Sequence, residues 1–174
     1  MSPEDICRRL GEKKTKDIFQ ELTTEGMKKV MREAKLPTTR LPSHTSSKKR
    51  NADWAAALWR GLSEKPLTGA AAMLLFEWLT KARRPMLAQF LTAIDVEHQD
   101  GLTEADFMQN TPPDKLLASG KKLLEQHDQK EVAAYLLFLD ATNKSEIFTS
   151  LALEKLIGGP ATPDKSAAKP AEAG

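Results

Sequence analysis

Apolar residues recur along most of the chain with the spacing of an amphipathic α-helix. In residues 25–35 the apolar side chains follow the i, i+3, i+4, i+7 pattern that places them on one helix face. These side chains are Met27, Val30, Met31 and Ala34. No stretch of strand length alternates apolar and polar residues with a period of two. The pattern therefore predicts an all-α fold.

Prolines and capping residues indicate where the predicted helices begin and end. Ser2 and Pro3 are typical of a helix start, and Pro37 ends the helix of residues 25–35. Asn51 is the predicted N-cap of the next helix, which Pro66 closes. Later helices are predicted at about residues 70–79, 85–94, 114–126, 130–141 and 145–157. Residues 36–50 are predicted to form a loop, and residues 95–111 a polar connection with one helical turn at 103–108.

The segment of residues 70–79 is apolar on nearly every side except at Glu77, which is typical of the most buried helix of a bundle. We therefore expect a helical bundle or stacked helical hairpins. Three parts are predicted: a small basic N-terminal helical module at residues 1–66, an apolar helical body at 67–157, and a disordered C-terminal tail at 158–174. The tail is rich in Ala, Pro and Gly and lacks large apolar residues.

The two halves of the chain differ in net charge, although the chain as a whole is nearly neutral. The 174 residues include 26 Lys and Arg against 24 Asp and Glu. Residues 1–66 carry 15 cations against 9 acids, whereas residues 67–157 carry 9 against 13. A basic half favours a polyanionic partner such as DNA or RNA.

Several protein classes are excluded by composition. The single cysteine, Cys7, cannot form an internal disulfide, so a disulfide-stapled extracellular scaffold is excluded. The longest apolar run, residues 69–76, is far shorter than the roughly 20 residues that span a bilayer. The chain starts with acidic residues and no apolar signal segment follows. We expect a cytoplasmic protein with no membrane partner.

The basic module contains the most informative motif, at residues 22–62. An amphipathic helix stops at Leu36-Pro37, a loop follows, and the cluster Lys48-Lys49-Arg50 leads into a second amphipathic helix. This arrangement resembles the SAP-type helix-extension-helix modules that bind nucleic acid. The resemblance implies that the three cations lie along a phosphate backbone and that Trp54 and Leu58 are the apolar anchors.

The charge pattern of this cluster favours anion binding independently of the resemblance. Three cations lie where unpaired backbone N–H groups and the positive end of a helix dipole also point, and a phosphate is attracted by all of them. The alternative is a solvated loop that binds nothing. Arg83-Arg84 has the same two interpretations, either a solvated turn or a second phosphate contact.

No catalytic motif or metal-binding spacing is present. Residues 95–107 superficially resemble a calcium-binding loop, but with Gly101 at its sixth position Phe107 replaces the terminal acid, so a capped polar loop is expected. The three histidines are too scattered to suggest a metal site, and no cofactor is expected. Cys7 is expected to be a packing residue. The three tryptophans, Trp54, Trp59 and Trp78, lie on apolar faces and are expected in the core rather than as platforms for bases.

These observations together predict a non-enzymatic binding protein. The leading hypothesis is weak, sequence-independent nucleic-acid binding through Lys48, Lys49 and Arg50. The alternative is a protein-interaction adaptor or oligomerising helical scaffold whose body binds a protein partner, with no nucleic-acid role. A third hypothesis is an enzyme with an active site assembled from distant residues.

Overall fold

The fold is all-α, as the apolar spacing predicts. The computed structural model describes residues 1–38 and 46–157, which form nine helices and no strand. The predicted disordered tail, residues 158–174, lies outside the described residues. Residues 39–45 of the predicted loop of residues 36–50 also lie outside them, and the loop prediction was wrong for residues 47–50, which are helical.

The helices follow one another with short connections, except between α2 and α3 and between α5 and α6. Their bounds are α1 Pro3–Glu21, α2 Thr24–Glu33, α3 Ser47–Glu64, α4 Thr68–Ala82, α5 Arg84–Ala93, α6 Phe107–Asn110, α7 Pro113–Gln126, α8 Gln129–Asn143 and α9 Thr149–Ile157. The predicted turn at residues 103–108 was wrong by several residues, since the short helix α6 begins at Phe107.

Helix α1 begins as predicted and bends in the middle. The Ser2 hydroxyl accepts from the Asp5 N–H, and the Asp5 carboxylate accepts from the Ser2 N–H, so that both ends of a capping box are present. Gly11, at φ +85°, interrupts the helical backbone, and the Thr15 hydroxyl donates to the Cys7 carbonyl across this bend. A single helix with a kink at Gly11 therefore covers residues 3–21.

Two apolar helices, α4 and α8, form the centre of the molecule. Helix α4 contacts α1, α2, α5 and α8, and α8 contacts α1, α4, α7 and α9. The predicted central helix of residues 70–79 is indeed buried on most sides, with the exception of Phe76. Seven consecutive side chains of α8, from Val132 to Phe138, are buried as well. Because these two helices are buried on most sides, the other helices pack around them.

Asp140 determines where the last helix begins. Its carboxylate accepts hydrogen bonds from the Ile147 and Phe148 N–H groups at 3.1 and 2.8 Å, and from the Ser145 and Thr149 hydroxyls at 2.7 and 2.9 Å. These contacts hold the chain before α9 in a turn. Helix α9 therefore begins at Thr149 rather than at the predicted Ser145.

The basic module also contacts the body. The Lys14 ammonium lies 2.7 Å from a carboxylate oxygen of Glu131 in α8, and the Lys29 ammonium lies 2.9 Å from Glu77 in α4. Helices α1 and α2 pack along α4. The division of the chain at residue 66 stays a prediction.

Candidate functional site

The basic cluster occupies the first turn of helix α3. Ser46 is the N-cap, and its hydroxyl accepts from the Lys49 N–H at 3.3 Å. Lys48 and Lys49 are exposed, and Arg50 is half-buried. The three candidate residues are therefore presented by a regular helix of 18 residues, which gives them a defined spacing.

The predicted N-cap at Asn51 was wrong. Because the Ser46 hydroxyl already satisfies a first-turn N–H, the helix begins before the cluster, and Asn51 lies inside it. Lys48, Lys49 and Arg50, which were predicted to end the loop of residues 36–50, are therefore helical, although cations in a first turn oppose the helix dipole. No acidic residue occupies this first turn to offset them.

Arg50 is held against the protein by Trp54. The guanidinium carbon lies 5.3 Å from the centre of the Trp54 ring, within the range of a cation–π contact. Arg50 Nε is buried, with no hydrogen-bond partner in the described part of the chain. This arrangement fixes one of the three cations while Lys48 and Lys49 extend into solvent.

The tryptophans lie mostly in the core, as predicted. Trp54 and Trp78 are buried, and Trp59 is half-buried. Leu58, the other predicted anchor, is 1% exposed. Because Trp54 is both buried and stacked on Arg50, it connects the cationic turn to the core of the module.

Among the described residues, none of Lys48, Lys49 and Arg50 is in an ion pair. The ion pairs of that part of the chain use other cations, including Lys14, Lys29 and Arg83. Acids of the body therefore pair with cations of helices α1 and α2 but with none of the three cations at the start of α3. Lys48 and Lys49 therefore keep their positive charge toward solvent.

A groove that the sequence pattern missed continues along α3. It lies between the end of α2 and the C-terminal half of α3 and has a volume of about 340 Å³. Leu36, Ala57 and Leu67 contribute apolar atoms to its lining, and charged residues surround them. Leu36 precedes the predicted stop at Pro37, and Ala57 lies seven residues after Arg50. Because Leu36 and Ala57 are far apart in the sequence, the helical spacing does not show that they line the same groove.

Arg83 and Arg84 are engaged in ion pairs within the protein. Arg83 contacts Glu131 at 2.6 Å and Glu21 at 2.9 Å, and its guanidinium lies over the Trp78 ring. Arg84 pairs with Asp100 at 2.9 Å. The turn interpretation and the phosphate interpretation of Arg83-Arg84 both assumed free cations, whereas the two arginines are in ion pairs with acids of the protein.

Two acids of the loop that resembles a calcium site are in ion pairs. Asp100 accepts from Arg84, and Asp95 lies 2.6 Å from the Lys115 ammonium. Within residues 1–38 and 46–157, no three His, Cys, Asp or Glu side chains are grouped to hold a metal ion. His98 hydrogen-bonds to the Thr92 hydroxyl and to the Gly101 N–H, which stabilises the loop. His44 lies outside the described residues.

Cys7 is buried within the core. Burial raises the pKa of the Cys7 thiol to about 12, and the neighbouring Glu4 charge adds to this effect. A thiol with such a pKa is almost wholly protonated near neutral pH and is a poor nucleophile. This agrees with a packing role for Cys7.

No helix of the described residues combines the length and apolar composition that crossing a bilayer requires.

Comparison with known proteins found no matching family model, no similar curated protein and no similar solved structure.

Proposed function

We propose that this protein binds nucleic acid weakly and without sequence preference, through Lys48, Lys49 and Arg50. The observation that carries the proposal is the position of three consecutive cations in the first turn of α3, without an ion pair among the described residues. Phosphate contacts of this kind provide affinity and orientation but do not read the base sequence.

The energetics of the helix start support an anionic partner. The unpaired N–H groups of the first turn carry partial positive charge, and each nearby cation costs roughly 0.3–1 kcal/mol of helix stability. A phosphate bound at this turn offsets both effects, because it accepts from N–H groups and attracts the side-chain cations. Bound counterions are released from the nucleic acid at the same time, so binding weakens as salt increases.

Fluorescence anisotropy with labelled DNA and RNA, measured from about 50 to 200 mM salt, tests this proposal. The double variant Lys48→Gln/Lys49→Gln removes two exposed charges and leaves the Arg50–Trp54 contact intact. We expect it to bind more weakly and to lower the salt slope by about one unit for each lost phosphate contact. The control is Lys121→Gln/Lys122→Gln, which removes two adjacent exposed cations from α7.

Two results would contradict nucleic-acid binding through the cluster. One is a lack of binding by the unaltered protein at low salt. The other is an equal loss of affinity in the two double variants, which would mean that net charge alone matters and that α3 has no special role.

A second candidate function is a protein-interaction adaptor without a nucleic-acid role. It is favoured by Phe76, which is 53% exposed beside Leu102 and a small apolar hollow of about 160 Å³. Exposed aromatic residues are enriched where proteins associate. If this function is correct, light scattering will show self-association or partner binding that Phe76→Ser abolishes, while Lys48→Gln/Lys49→Gln leaves it unchanged.

A further inference from the structure

The groove beside α3 has the charge distribution of an anion-binding site. Three cations surround it, Lys35 just after α2, Arg60 on α3 and Lys65 at the C-cap of α3, against one acid, Glu64. Among the described residues none of these four side chains is in an ion pair. The rim is therefore basic, and its charge is complementary to one or two phosphate groups.

The groove lies on the side of α3 that carries Arg50 and Lys49, which is 11 residues before Arg60, whereas Lys48 lies on nearly the opposite side of the helix. Residues 7 and 11 positions apart on an α-helix are almost in line, so Arg50 is aligned with Ala57 and Gly61, which line the groove. At about 1.5 Å per residue, Arg50 lies about 10 Å along the axis from Ala57. Asp53 is the acid between them. A flexible polyanion that contacts Lys49 and Arg50 can therefore continue into the groove.

The lining of the groove distinguishes it from a simple phosphate site. Leu36, Ala57 and Leu67 present apolar surface below the charged rim. Its volume of about 340 Å³ is at the lower end of the range for sites that hold one small organic molecule. Apolar surface beside cations is complementary to a ligand that carries both a flat apolar ring and a phosphate group.

We propose that this groove holds one nucleotide of a single-stranded nucleic acid, with its base on Leu36 and Leu67 and its phosphate near Arg60 and Lys35. The inference rests on the proposed function and specifies its ligand. In a duplex every base is stacked and paired inside the helix, so only an unpaired strand can place a base in the groove. Every base has an apolar face, so this contact requires no particular sequence.

The experiment compares a labelled eight-nucleotide oligo-dT with a blunt DNA duplex, by fluorescence anisotropy at one salt concentration. We expect the protein to bind the single strand more tightly. Ala57→Leu fills part of the groove without changing charge and should weaken single-strand binding at least about fivefold, with duplex binding unchanged. Its control is Ala56→Leu, the same substitution at a half-exposed neighbour that does not line the groove.

Two charge variants test the rim without disturbing the fold. Arg60→Gln is an exposed substitution on α3 by a residue that also favours helix. Lys35 has a φ of +54°, so Lys35→Asn removes its charge and retains a residue that tolerates this backbone region. Both should weaken oligo-dT binding more than the duplex, and circular dichroism will show whether each variant is folded.

The outcomes separate this inference from the proposed function. Equal affinity for both DNAs, or groove variants that bind oligo-dT normally, would overturn the single-strand site and leave cluster-dependent binding in place. Failure to bind either DNA would overturn both. A poly-glutamate peptide that competes as well as oligo-dT at equal charge would overturn the nucleotide site in favour of an acidic peptide.

Discussion

Arg83 and Glu131 are joined by two hydrogen bonds between charged groups. Arg83 Nε lies 2.6 Å from one oxygen of Glu131, and Nη2 lies 2.7 Å from the other. Arg83 follows helix α4 directly, and Glu131 is in the first turn of α8. Because the Glu131 side chain is 14% exposed, this pair connects the two central helices with little screening by water.

Arg83→Met is expected to destabilise the protein substantially. The substitution retains an apolar stem but leaves Glu131 with Lys14 as its only close cation among the described residues. We expect the free energy of unfolding to fall by about 2–3 kcal/mol, less than for a fully buried pair because Arg83 is 23% exposed. Urea denaturation measures this change.

The matched control is Lys115→Met, which breaks an ion pair with the highly exposed Asp95. An exposed pair contributes at most about 1 kcal/mol, so this variant should unfold almost as the parent does. Equal destabilisation by the two substitutions would show that the Arg83–Glu131 contact contributes no more to the free energy of unfolding than an exposed ion pair does.

The same pair predicts how stability depends on pH. Burial opposes ionisation of Glu131, but hydrogen bonds from Arg83 and Lys14 outweigh it and hold the pKa of this carboxyl below its usual 4.5. In acid the unfolded chain therefore takes up this proton before the folded chain does. The resulting stabilisation is complete well above the unfolded pKa and is lost as pH falls through the folded pKa.

Glu131→Gln should remove this contribution to the acid sensitivity. We expect its free energy of unfolding to fall less between pH 6 and pH 3 than that of the unaltered protein, as measured by urea denaturation at each pH. Asp5, whose pKa is lowered by its hydrogen bonds with Ser2, supplies a similar contribution in both proteins. Parallel pH curves would argue against a role for Glu131.

Two glycines with positive φ provide a matched test of packing. Gly11 has φ +85°, and a methyl group added to its Cα would have no neighbouring atom within 4 Å. At Gly101, φ +80°, the same methyl group would lie 2.6 Å from the Arg84 carbonyl oxygen. Alanine at either site carries a backbone cost of about 1–3 kcal/mol. Gly101→Ala should cost about 1–3 kcal/mol more because of the steric conflict.

Thermal and urea denaturation of the two alanine variants will measure this difference directly. Equal destabilisation would mean that the loop at Gly101 can move away from α5 at little cost. In that case the close approach of the loop to α5 does not contribute to stability.

Cys7 should be unreactive in the folded protein. Because burial raises the pKa of its thiol to about 12, we expect no labelling by iodoacetamide at pH 8 and complete labelling in denaturant. Ser63→Cys adds an exposed thiol on α3 as an internal control, so mass spectrometry should show one label in the folded variant and two in the unfolded one. Two labels on the folded variant would contradict the buried position of Cys7.

Local spacing was sufficient for much of the fold. The stripe of Met27, Val30 and Met31 predicted the buried face of α2, and the apolar run in residues 70–79 predicted a central helix. These patterns are readable because helix periodicity and burial depend on neighbours three and four residues apart. The first residue of a helix was harder to predict where two residues could serve as the N-cap, as with Ser46 and Asn51. It was also harder to predict where the carboxylate of an earlier helix binds the preceding turn, as Asp140 does before α9.

Sequence also located a basic cluster, but the environment of each cation depends on residues far along the chain. Lys14 and Arg83 meet Glu131, which is 117 and 48 residues away, and these contacts neutralise cations that look exposed in the sequence. The groove likewise requires Lys35, from the turn after α2, and Arg60, from α3. Helical periodicity is a local property that the sequence specifies directly, whereas ion pairing and cavity shape arise from packing between helices and become known only from the tertiary structure.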